Sequence, residues 1–120
     1  MNDPLVEKVD LLVGWLQEKK ANCIQAIDVR DKCNFTEYLI VCTGSATLHN
    51  KAIADHVLDN AREHKIRILG KEGMKAETWI LLDLNDVIIH IFTEEMKDMY
   101  KLEDLWTQKN IIIQDAENEN

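Results

Sequence analysis

The chain reads as an α/β protein: a mixed sheet of about five strands with two main helices on one face. Three observations carry this. Two stretches place apolar residues at helical spacing, several short runs are rich in β-branched residues, and one segment, TWILLDLNDVIIHIF, has the form of a hairpin. At 120 residues the chain fits one domain, and a domain of that size buries roughly two thirds of its unfolded surface.

The first helix opens at Asp3-Pro4, an N-cap followed by proline at the first helical position. Leu5, Val9, Leu12, Val13 and Leu16 then recur on one side as far as Lys19-Lys20. Ile24 to Val29 and Tyr38 to Thr43 read as two strands separated by the polar RDKCNFTE. A second amphipathic helix covers Ser45 to His64, with Ile53, Ala54, Val57, Leu58 and Ala61 on its stripe and Ser45 or Thr47 as its cap. Ile66 to Leu69 suggests a short edge strand, and KEGMKAE a polar loop turning at Gly73.

In the hairpin, Asn85-Asp86 supplies two residues that tolerate the left-handed conformation of a tight turn. With those two at the centre, Leu84 pairs with Val87 and the alternation of side chains fixes both faces. Ile80, Leu82, Leu84, Val87, Ile89 and Ile91 form an aliphatic face. Trp79, Leu81, Asp83, Ile88, His90 and Phe92 form a mixed one. Two helices cover one face of such a sheet, which leaves two readings of the mixed set. Either it is a partner interface, where aromatic anchors dominate and charges give orientation, or short helical segments near MKDMYKLEDLW cover it. NIIIQD reads as one last strand. Residues 1–113 are expected to form a single domain, and 114–120 an acidic, disordered tail.

Composition narrows the function classes. The formal net charge is −8, and the folded part stays acidic without the tail residues Asp115, Glu117 and Glu119. Lys and Arg contacts to phosphate supply most nucleic-acid affinity, so direct nucleic-acid binding is disfavoured and a basic protein partner favoured. No apolar run reaches the ~20 residues of a membrane helix, and the acidic N-terminus is not that of a signal peptide, which points to the cytoplasm. Cys23, Cys33 and Cys42 are odd in number and widely spaced, the pattern of free thiols, and no close Cys pair suggests a metal. His49 and His56 stand seven residues apart, too far for a metal clamp on one helix.

The corner VCTGSATLHN raises three enzyme readings. A phosphate loop needs a second Gly and a Lys, and a nucleophile elbow needs G-x-S-x-G; neither pattern is present. A nucleotidyltransferase site places two acids one residue apart shortly after Gly-Ser, so that both reach one Mg²⁺. Ala46, Thr47, Leu48 and His49 stand there instead. Asp83 and Asp86 flank a turn and fit turn chemistry better. A nucleotide-binding or nucleotidyltransferase-type enzyme is the alternative to the reading that follows.

Asp28-Val29-Arg30, Thr36 with Tyr38, C-T-G-S at Cys42 to Ser45, His49 with A-I-A-D at Ala52 to Asp55, and Glu72-Gly73 form an ordered series. It continues through W-I-L-L-D at Trp79 to Asp83, D-V-I-I-H at Asp86 to His90, Tyr100, and L-E-x-L-W at Leu102 to Trp106. Together these resemble the ribosomal silencing factor family, also called Iojap-like. The resemblance implies a nucleotidyltransferase-like fold without the catalytic acids, and no cofactor or metal. It also implies binding to the basic large-subunit ribosomal protein number fourteen, at the face where the small subunit docks, so that subunit joining is blocked when nutrients fail. Family members are commonly dimers. By position, Trp79 matches the Trp used against the ribosomal protein, and Asp83 and Asp86 are candidates for pairing with its Arg or Lys. Leu81, His90 and Phe92 join through the hairpin register. Glu37 and Asn85 depart from the usual Asp and Gly of the pattern.

Overall fold

The computed structural model describes residues 4–31, 36–96 and 111–114, the last four as backbone. Helix α1 spans Pro4–Glu18, strands β1 and β2 span Asn22–Asp28 and Tyr38–Gly44, and helix α2 spans Thr47–Glu63. Strands β3 (Gly70–Glu72), β4 (Trp79–Asp83), β5 (Val87–Thr93) and β6 (Ile111–Gln114) follow. They form one mixed sheet in the order β3-β4-β5-β2-β1-β6, in which β2 and β5 run parallel and every other pair antiparallel. The sixth strand is the NIIIQD segment, paired through Gln25, Ala26 and Ile27 of β1. No helix among the described residues is long and apolar enough to cross a membrane.

Both helices lie on one face, as their apolar stripes require. Val9, Leu12, Val13, Trp15 and Leu16 of α1 and Ile53, Ala54, Val57, Leu58 and Ala61 of α2 pack with Ile80, Leu82, Leu84, Val87, Ile89 and Ile91 in one buried cluster. Burial of these side chains contributes roughly 1.5–3 kcal/mol for each large one, the main stabilising term of the fold. A second, smaller cluster on the opposite face joins Ile27, Val29, Leu39, Val41, Ile88 and Phe92, with Trp79, Leu81 and Met96 against it.

Local details differ from expectation where tertiary contacts decide. Residues Ile66 to Leu69 are not the edge strand; Gly70–Glu72 is, with Leu69 N–H donating to Asp83 O just before it. A polar edge strand is the safer one, because an exposed apolar edge invites pairing with other chains. Helix α2 begins after Ala46, whose extended backbone serves as the N-cap position with no side-chain cap, so neither Ser45 nor Thr47 caps it. Instead Ser45 N–H donates to His49 Nδ1 at 2.9 Å, and His49 Nε2–H donates to Lys19 O at 2.7 Å. Gly44 is required by crowding rather than by a turn: a Cβ there would collide with Oδ1 of the fully buried Asn50, whose Nδ2 donates to Glu77 O at 2.7 Å.

Cys23 and Cys42 are free, and burial pushes the Cys42 thiol far above its ordinary range, which keeps it unreactive. Cys33, the helical pieces expected within MKDMYKLEDLW beyond Met96, and the acidic tail past Gln114 lie outside the described residues.

Candidate binding face

The hairpin register follows from its turn. Asn85 adopts a φ of 80°, its N–H is accepted by the Asp83 carboxylate at 3.0 Å, and Leu84 N–H donates to Val87 O at 2.9 Å. From there the pairs run Asp83 with Ile88, Leu81 with His90 and Trp79 with Phe92. Trp79, Leu81, Asp83, Ile88, His90 and Phe92 therefore share the face away from the helices.

That face is not bare. Phe92 is fully buried and His90 is 9% exposed, so neither meets solvent as an open interface residue would. What reaches the surface is its β4 rim: Trp79, Leu81 and Asp83 are all half-buried. His90 and Phe92 instead hold Trp79 in place. The indole N–H donates to His90 Nδ1 at 2.9 Å, the Trp79 and Phe92 rings are tilted with centroids 4.9 Å apart, and His90 and Phe92 stack within 7° of parallel. An indole nitrogen only donates, so Nδ1 of His90 is unprotonated and the ring neutral. Burial lowers its pKa to about 4, which is consistent with that state.

Asp86 is drawn to the other side. Its carboxylate pairs with Lys8 of α1 at 2.6 Å, and Lys8 also donates to Leu84 O at 2.8 Å. Its carbonyl accepts the N–H groups of Glu37 and Tyr38. Asp86 thus ties the turn to α1 and to the start of β2, while Asp83 stays on the rim. Five of the six sequence candidates are brought together, and Asp86 is not among them.

Beside the rim lies a cleft of about 310 Å³ lined by Glu72, Gly73, Trp79 and Leu81. Glu72 faces Leu81 across the β3–β4 pair, and Gly73 takes a φ of 80° with its Cα so close to Trp79 O that no Cβ fits. Sequence reasoning left Glu72 out of the candidate set. Its signal was the acid directly before the turn glycine, but that becomes meaningful only once the edge strand is placed at Gly70–Glu72.

Ser45 Oγ lies 3.1 Å from His49 Nδ1. The single lone pair of that nitrogen already accepts the Ser45 N–H, and the other nitrogen holds Lys19 O, so the ring braces the entry to α2.

Fold and face together define an α/β protein on one mixed sheet, helices on one side and an aromatic-supported rim on the other. The chain belongs to the ribosomal silencing factor family: the family model described as ribosomal silencing factor during starvation matches residues 2–120. It is 34% identical over 98 residues to the ribosomal silencing factor RsfS of Haemophilus influenzae, covering 82% of this chain and 96% of that one. It is 29% identical over 105 residues to mitochondrial assembly of ribosomal large subunit protein 1 of Mus musculus, covering 85% and 46%. A crystal structure of a Chromobacterium violaceum protein superposes with a TM-score of 0.81 at 26% identity, covering 100% of both chains. Another, from Bacillus halodurans, gives 0.76 at 31% identity, covering 83% and 93%.

Proposed function

We propose that this chain binds the large ribosomal subunit through its ribosomal protein number fourteen and, by standing where the small subunit docks, keeps the subunits apart and lowers translation. Membership of the family carries this reading. The rim supplies a physical means: Trp79 is an aromatic anchor held from behind by His90 and Phe92, Leu81 extends the apolar contact, and Asp83 offers a charge to a basic partner. Asp86 contributes by fixing the turn. The nucleotidyltransferase-like character of the sheet belongs to the same proposal, with Gly44 and Ser45 at the end of β2 and no acid pair behind them. A cytoplasmic site of action and a homodimer complete it.

Co-sedimentation with isolated large subunits tests the proposal. Wild-type protein is expected in the pellet at low salt, and Trp79→Ala, with its fold kept, is expected to lose roughly 2–4 kcal/mol of binding. Wild-type protein remaining in the supernatant would overturn it. Sizing the protein with and without subunits shows whether dimerisation and ribosome binding compete.

A further inference from the structure

We infer that the cleft over the Glu72 end of the β3–β4 pair is a receptor for one arginine side chain of a basic protein partner, with Trp79 and Leu81 as its apolar walls and Glu72 as its counter-charge. This rests on the proposed ribosome binding and adds Glu72 and Gly73 to the Trp79 and Leu81 of that reading. At about 310 Å³ the cleft sits at the lower bound of small-molecule pockets, a size suited to a single long side chain rather than to a nucleotide.

Among the described residues its lining is an apolar wall with an acid at the edge. An arginine answers both parts, since its aliphatic stem packs on apolar surface while the planar guanidinium stacks on an indole face and forks onto a carboxylate. Lysine, a compact and strongly hydrated charge, gains less from the indole wall. Glu72 is exposed, and among the described residues no cation pairs with its carboxylate. Asp83 lies on the same sheet face as Leu81, two residues along β4, and adds negative charge beside the cleft. A net charge of −8 for the chain makes the incoming group basic on the same ground.

Gly73 makes the geometry. Its positive φ and its contact with Trp79 O hold the Glu72-Gly73 backbone directly against Trp79. The carboxylate and the indole are thereby presented to one guest.

The test is salt-dependent co-sedimentation with large subunits, comparing wild type with Glu72→Gln, Glu72→Lys and the control Glu63→Gln at the exposed end of α2. Thermal midpoints are expected to coincide, because both positions are exposed. Glu72→Gln is expected to bind roughly fivefold more weakly and with a shallower salt dependence, Glu72→Lys more weakly still, and Glu63→Gln like wild type. If wild type binds and Glu72→Gln matches it in affinity and salt slope, the arginine receptor is overturned while ribosome binding stands. If wild type does not bind, both fall together. Equal losses for Glu63→Gln and Glu72→Gln would reduce the effect to net charge and also overturn it.

Discussion

Trp79 and His90 are joined across the β4–β5 pair by an indole N–H donated to Nδ1 at 2.9 Å, with their ring centroids 5.9 Å apart. The bond orients the indole on the rim and requires the histidine to be neutral. A proton on Nδ1 would set two donors against each other and bury a charge.

This gives stability a defined pH dependence. The folded pKa of His90, about 4, lies below the ordinary value of 6.5, so between these two values the unfolded chain takes up a proton that the folded chain refuses. The contribution of a neutral His90 is therefore complete above pH 6.5, declines as pH falls, and is exhausted below about pH 4. At about 1.4 kcal/mol per pH unit it amounts to roughly 3 kcal/mol across the window. His90→Asn keeps an acceptor near the Nδ1 position and does not titrate. Urea unfolding of both proteins at several pH values is expected to show a lower stability at pH 7 for the variant and a shallower fall between pH 6.5 and 4. Parallel curves would show that His90 is not the group that titrates.

Gly73 and Gly14 make a matched pair of alanine substitutions with opposite signs. At Gly73 a Cβ would run into Trp79 O, and the φ of 80° is itself unfavourable for alanine. At Gly14, within α1, a Cβ meets nothing within 4 Å. Gly73→Ala is expected to cost about 1–3 kcal/mol, with the loop pushed off Trp79, whereas Gly14→Ala is expected to gain about 0.5–1 kcal/mol from helix propensity. Thermal or urea unfolding reads both. A neutral Gly73→Ala would mean that the loop yields without disturbing Trp79.

The parts of this molecule legible in its sequence are those set by short-range rules. Two residues of turn and strict alternation place Leu84 opposite Val87, and every pair from Asp83 with Ile88 to Trp79 with Phe92 follows. The helix stripes are equally local. Burial of the mixed face was one of two readings left open, because alternation tells which side His90 and Phe92 occupy and not how far that side is covered. Nor was the fate of Asp86, since its partner Lys8 is 78 residues away and nothing in the spacing of WILLDLND points to α1. The edge strand was misplaced for a related reason: Ile66 to Leu69 has the apolar content of a strand, but the outermost position of a sheet favours the polar Gly70–Glu72.

His49 offers the last test, at the corner that most resembles a catalytic site. Its ring accepts the Ser45 N–H and donates to Lys19 O, linking the end of β2, the entry to α2 and the turn after α1. Helix α2 has no side-chain cap on Ala46, so this bridge is what orders its approach. His49→Ala removes both hydrogen bonds at a partly exposed position, where each is worth about 0.5–1.5 kcal/mol and water replaces part of the loss. The expected outcome is a destabilisation of about 1–2 kcal/mol, with faster amide exchange at Ser45 and in the first turn of α2. The proposed large-subunit binding at the Trp79 rim is expected to persist, because β4 and β5 contribute nothing to the bridge. Loss of binding by a folded His49→Ala protein would instead place the Ser45–His49 corner within the ribosome-binding surface.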